Sequence, residues 1–183
     1  MDTVKKISNK RKQIPKKLYH GTTSRHVKSL RRGADVTMGN KRTDFGQGFY
    51  LTSKFNQAKD HAKRRVFNKE YPIVFVYKLD YSQLLRSYRG KILNDLDLEW
   101  ARFIYNNRSQ KANFKHNYDY VFGGVADGKI FDLVNAVDFG RLTMKNFLDE
   151  IAKYKSYNQL SIHNQDIIKF NILKLKRKVS VNG

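Results

Sequence analysis

Cysteine is absent from the chain, so disulfides and zinc–thiolate sites are excluded and the redox compartment is left open. No apolar run approaches the ~20 residues needed to span a bilayer, which excludes a helical membrane anchor. No repeat, low-complexity tract or Gly/Ser linker divides the chain. Acidic residues are scarce, 16 against 37 Lys and Arg, for a formal charge of +21. What is present suits one domain: 183 residues, 40% hydrophobic and 13% aromatic, enough to build a core. The basic opening MDTVKKISNKRKQIPKK lacks the apolar segment of a secretory signal, so the expectation is a soluble, cytoplasmic protein.

The positive charge is concentrated at the ends. Residues 1–17 hold seven Lys and Arg against Asp2, and residues 169–183 hold five with no acid. Residues 1–16 read as a solvated, flexible basic tail, and 17–183 as one domain. The body still carries 25 basic against 15 acidic residues, a density that attracts polyanions: nucleic acid, the phosphates of a dinucleotide, or an acidic protein.

Hydrophobic patterning mixes strands and helices without βαβ alternation, which predicts an α+β fold. KLYHGT (17–22), GFYLT, PIVFVYKLD (72–80), SYRGKIL, YDYVFGGVAD (118–127), NQLSIH (158–163) and ILKLKRKVSV (172–181) read as strands. A short helix is expected over 24–32, with Ser24 as N-cap and Gly33 just past its end. Another follows Ser53, with Phe55, Ala58, Ala62 and Val66 on one stripe and Lys54, Lys59, Lys63, Arg64 and Arg65 outside. DLEWARFIYNNR (97–108) and residues 143–155 read as amphipathic helices.

TDFGQGFYLT (43–52) is the unusual stretch. A G-x-G pair invites a dinucleotide reading, but Leu51 stands where the Rossmann fingerprint needs its third glycine. The pair also leads into a strand rather than a helix, and no G-K-[ST] follows. A tight turn feeding a strand remains. Alternation then sorts Phe49 and Leu51 to one side, Tyr50 and Thr52 to the other. In LYHG, Leu18 and His20 alternate against Tyr19; in NQLSIHN, Leu160 and Ile162 alternate against Gln159, Ser161 and His163. Each polar position has an ordinary explanation, as surface or packing. Neither His20 nor Tyr50 is assigned to the core. The five histidines show no metal-ligand spacing, so no metal site is expected.

Order and context add more. YHGT, then FGQGFYLT about thirty residues on, then a late polar residue in a strand, resembles the H–Y–[E/Q] pattern of the ADP-ribosyltransferase superfamily. TDFGQGFYLTSKFNQA, LEWARFIYNNR, YDYVFGGVADG and NQLSIHN are most like a bacterial, toxin-like branch of it, over roughly residues 17–170. The resemblance implies a split β-sandwich of short strands with flanking helices. It also implies an NAD-dependent mono-ADP-ribosyltransferase, a bacterial or phage toxin or effector acting in the cytoplasm or delivered into a target's.

By that resemblance His20 bonds a ribose hydroxyl, and Gly21, beside Thr22, offers its backbone to nicotinamide. Tyr50 stacks on the ring, while Gly46 and Gly48 keep the neighbouring turn thin enough to admit the dinucleotide. Gln159 takes the third position, where better-known members place glutamate; it can hydrogen-bond the ribose but carries no charge. Nucleophile activation then falls to a carboxylate, Asp127 or Asp44, each also explicable as a turn or cap residue. Arg25, Lys41 and Arg42 are phosphate contacts by position only.

Two other classes compete. One is a non-catalytic nucleic-acid-binding module using the basic helix and tails. The other is a degenerate transferase fold that binds NAD or a partner without turnover. The acceptor, nucleic acid or protein, stays open; an acidic antitoxin is the alternative partner for the charge.

Overall fold

The computed structural model describes residues 14–93, 95–126, 130–154 and 157–181. The strands are β1 (Lys17–Thr23), β2 (Phe49–Thr52), β3 (Pro72–Leu79), β4 (Gly90–Leu93), β5 (Tyr120–Gly124), β6 (Asn158–Ile162) and β7 (Leu173–Ser180). The helices are α1 (Val27–Arg32), α2 (Phe55–Arg64), α3 (Tyr81–Ser87), α4 (Leu98–Arg108), α5 (Ile130–Asp138), α6 (Met144–Ala152) and α7 (Asp166–Lys169). All seven strands join one sheet in the order β4-β5-β6-β2-β1-β3-β7. Only β4 and β5 run parallel, and α4 lies on the crossover that a parallel pair requires. The α+β class expected from the sequence is the class observed.

The sheet has a narrow joint. β1 pairs with β3 along its whole length, from Lys17 opposite Lys78 to Thr23 opposite Pro72. It meets β2 only where Tyr19 faces Thr52. Beyond that pair the two strands part.

Alternation places the cores. One face carries Leu18, Phe49, Leu51, Phe75, Phe122, Leu160 and Ile162, packed with Leu84 of α3 and Ile167 of α7. On the other face, α4, α5 and α6 lay Trp100, Ile104, Val134, Phe147 and Ile151 against Val121 and Leu93. At the β1–β3 end of that face, α2 presses Ala58 and Ala62 onto Val74. Among the described residues no helix is long and apolar enough to cross a membrane.

Side-chain caps open three of the helices. The carboxylate of Asp97 accepts from Trp100 N–H at 2.9 Å to open α4, and Asp80 accepts from Gln83 N–H at 3.0 Å to open α3. Thr143 opens α6 by accepting from Asn146 N–H at 3.2 Å.

Several expectations need correction. Residues 24–32 split into a 3₁₀ turn, Ser24–His26, and α1, with Thr23 rather than Ser24 as the first cap. The N-cap of α2 is Lys54, not Ser53; the Thr52 hydroxyl accepts from Lys54 N–H at 3.1 Å. Val66 falls beyond the end of α2 and is exposed.

The domain boundary also moves. Ile14 is only 2% exposed and belongs to the main core, and the Lys16 carbonyl accepts from Leu79 N–H at 2.8 Å. Residues 14–16 are therefore part of the domain and not of a tail. Ile14→Ala should cost about 2–5 kcal/mol in chemical denaturation, the range for truncating a buried aliphatic side chain. A loss within experimental error would return Ile14 to the tail.

Candidate functional site

The segment 43–50 is held by side chains from distant parts of the chain. A backbone carbonyl can only accept, so each imidazole facing one must donate. His20 Nδ1–H donates to the Tyr50 carbonyl, His163 Nδ1–H to that of Gln47, and His116 Nε2–H to that of Phe45, each at 2.8 Å. His116 Nδ1 in turn accepts from Tyr118 N–H at 3.3 Å. The Tyr50 phenol donates to the Gly46 carbonyl at 2.7 Å, accepts from Phe45 N–H at 3.0 Å and lies 2.6 Å from the Thr43 hydroxyl.

Asp44 is sealed in. It is 2% exposed, accepts from Arg108 Nε at 2.5 Å and from Ala126 N–H at 2.9 Å, and so ties the turn to α4 and to the end of β5. Its carboxylate is a structural ion pair, which removes it as a candidate for nucleophile activation. Asp127, the other candidate, lies outside the described residues.

The glycines have structural reasons. A Cβ on Gly21 would stand 1.9 Å from the Ala58 carbonyl oxygen, because α2 crosses directly above. One on Gly48 would meet Ser161 Oγ at 2.6 Å and the Ile162 carbonyl at 2.7 Å. Gly46 adopts φ +81°, where glycine is favoured, and Asn107 Oδ1 occupies the space a Cβ would need. Protein atoms occupy the Cβ side of both Gly46 and Gly48. The bareness serves close packing.

His20 is also placed differently from expectation. It shares the main-core face with Leu18, sits opposite Phe75, and its ring centroid lies 4.5 Å from that of Phe49. Thr22, next along that face, is buried. Burial pushes the His20 imidazole down to about 4, aided by the nearby cations, despite the opposing bond to Tyr50. The ring is neutral, and with Nδ1–H given to Tyr50 its Nε2 is an acceptor with no partner among the described residues.

Tyr50 and Gln159 do share a face, as alternation implied. Register aligns Tyr19, Thr52, Gln159 and Gly123 in one row across four strands, with Tyr50 and Ser161 in the next. Tyr50 stacks on Phe45 at 6.2 Å between centroids. Burial raises its phenol to about 12, so it stays protonated. Gln159 is half-buried, and its carboxamide makes no hydrogen bond among the described residues. The Thr52 hydroxyl beside it bonds Gln57 of α2.

The joint thus brings the His20 ring to the Tyr50 backbone, with Gln159 on the neighbouring strand. Arg25, Lys41 and Arg42 are exposed. His116, His163, Asn107 and Arg108 had no assigned role in the sequence, because nothing local connects them to residues 43–50. Two cavities lie elsewhere: one of about 450 Å³ beside α4, lined by Phe103, Phe114, Tyr118 and Lys91, and one of about 400 Å³ beside β3 and β7.

A family model described as protein of unknown function (DUF3990) matches residues 16–174, and the chain belongs to that family. No curated protein and no solved structure matches the chain.

His163 behaves like His20: burial lowers it to about 4, with His116 adding to the effect, while the bond to Gln47 opposes it. An unfolded histidine titrates near 6.5. Between that value and about 4, the unfolded chain therefore binds protons that the folded protein refuses, so stability falls as pH drops through this window. The melting temperature should decline measurably from pH 6.5 to pH 5, where most carboxylates are still ionised. A His20→Gln/His163→Gln variant should show a shallower decline. An equal slope in both proteins would mean these rings are not the cause.

Proposed function

We propose that the protein is an NAD-dependent ADP-ribosyltransferase whose site lies at the joint between β1 and β2. The observation that carries this is the Gln159 carboxamide, unbonded among the described residues and on the strand next to Tyr50, together with a neutral His20 fixed at the joint. A neutral imidazole with Nδ1–H already committed presents Nε2 to a hydroxyl proton, as a ribose would offer. A protonated ring could not accept.

In the reaction, the bond between ribose and nicotinamide breaks, its electron pair leaves with nicotinamide, and positive charge develops on the ribose. An acceptor oxygen or nitrogen then bonds to that carbon and gives its proton to solvent. Gln159, on the Tyr50 face, and His20, reached through the gap where β1 and β2 part, hold separate ribose hydroxyls in place. Tyr50 contributes its ring, since its hydroxyl is already committed to residues 43–46. Gly21 contributes backbone groups from the open edge of β1, because α2 closes its other side.

Gln159 carries no charge and Asp44 is engaged by Arg108, so among the described residues neither candidate activates the acceptor; that task falls to Asp127 or to the acceptor's own nucleophilicity. That absence of charge also favours a second reading, a fold that binds NAD or a partner without turnover. Turnover separates the two.

Nicotinamide release from NAD should fall at least ~10-fold in Gln159→Ala, about 1.4 kcal/mol of lost transition-state interaction, at an unchanged melting temperature. Gln159→Glu should keep part of the activity or shift it between transfer and hydrolysis. Tyr50→Phe should lower stability by freeing the 43–46 turn, and so measures structural loss separately. NAD binding without nicotinamide release in the wild type would select the second reading. Wild-type activity in Gln159→Ala would sink the site.

A further inference from the structure

The face of the sheet covered by α2 at one end is bare at the other, and there it carries lysines in register. Lys17 on β1 stands opposite Lys78 on β3, and Lys78 stands opposite Lys174 on β7. Residues directly opposite point to the same face with Cβ atoms about 5 Å apart, and like charges so placed repel. Lys16 and Lys176 extend the row: with Lys78, Lys174, Asp80 and Asn171 they line the groove of about 400 Å³. All five lysines are exposed. Among the described residues none of them is ion-paired. Asp80, the one carboxylate in the groove lining, is engaged in capping α3.

Protection of a sheet edge accounts for lysines on β7, which is an edge strand. It does not account for Lys17 and Lys78, which lie on interior strands. We infer that this lysine row is a binding site for the phosphodiester backbone of a nucleic acid. The chemistry separates that ligand from other polyanions. A stable protein interface needs an apolar or aromatic centre and is depleted in lysine; here Leu79 is buried beneath the groove, Tyr81 is the one aromatic residue in its lining, and the rim is lysine. A bilayer surface is flat, whereas this site is concave. Phosphates strung along a flexible chain match lysine stems, which reach out as mobile point charges without demanding fixed geometry. The outer face of α2 is also basic, but its lysines and arginines lie along one helix.

The site does not depend on NAD chemistry, and its test is independent of it. Binding of labelled DNA and RNA oligonucleotides, single-stranded and duplex, is followed by fluorescence anisotropy on the full chain from 50 to 200 mM salt. Affinity should fall steeply with salt, because each neutralised phosphate releases counterions. Lys17→Gln/Lys78→Gln/Lys174→Gln should shallow the log–log slope by up to about three units, near 0.9 per lost duplex contact. Lys59→Gln/Lys63→Gln/Arg64→Gln should leave it unchanged. The lysine-row variant should melt at the same or a higher temperature in low salt, since repulsion is relieved. Nicotinamide release into water should not change in it. Equal slopes in wild type and the lysine-row variant overturn the site, as does a slope lowered only by the α2 variant. Tighter, row-dependent binding to phosphatidylserine vesicles or to poly-glutamate than to any oligonucleotide also overturns it, assigning the row to a membrane or an acidic protein.

Discussion

Backbone carbonyls that strands leave unpaired must find donors elsewhere, and in residues 43–50 that requirement organises the molecule. β2 is four residues long and touches β1 at one position, so much of this segment lacks a strand partner. Imidazoles from β1, from the residue after β6 and from the stretch before β5 fill the deficit. Asp44 then anchors the same segment to α4 and to the end of β5. Five parts of the fold converge on eight residues. A carbonyl accepts from either a neutral or a charged imidazole, so burial, helped by neighbouring positive groups, decides that His20 and His163 are neutral.

The class and most of the strands were legible because alternation and β-branched residues write themselves locally. The face shared by Tyr50 and Gln159 followed from the same rule. Three helices were not anticipated, for different reasons. α3 buries a single residue, Leu84, which is too little for a stripe. α5 is rich in Ile, Val and Phe, with Phe131 turned outward, so its composition does not declare a helix. α7 has four residues. The glycines misled because the atoms that need their space, from Ala58, Asn107 and Ser161, are far away in sequence. The role of His20 was half visible: its face was shared with Leu18, but nothing local said that Phe49 and Tyr50 would close around it.

The two ends of one sheet face differ in kind. Under α4, α5 and α6 it is apolar and aromatic, with Trp100 Nε1–H satisfied by the Gly124 carbonyl at 2.8 Å. At the β7 end it is left to lysine. A row of like charges on interior strands costs stability, and the large apolar interior beneath Leu18, Phe75 and Leu79 is what makes that cost tolerable. Composition reported the charge without its address.

β6 sits between β5 and β2, although it is drawn from residues 158–162, late in the chain. Take it away and the sheet falls into two unconnected pieces, β4-β5 and β2-β1-β3-β7. During synthesis, then, β4-β5 and β2-β1-β3 can both leave the ribosome and begin to pack while the strand that joins them is still being made, with β7 following it. The connecting strand, its Gln159 and the His163 clamp arrive together, with the last quarter of the chain. Until that moment the nascent protein holds a partial fold in which the Gln47 carbonyl still lacks its imidazole.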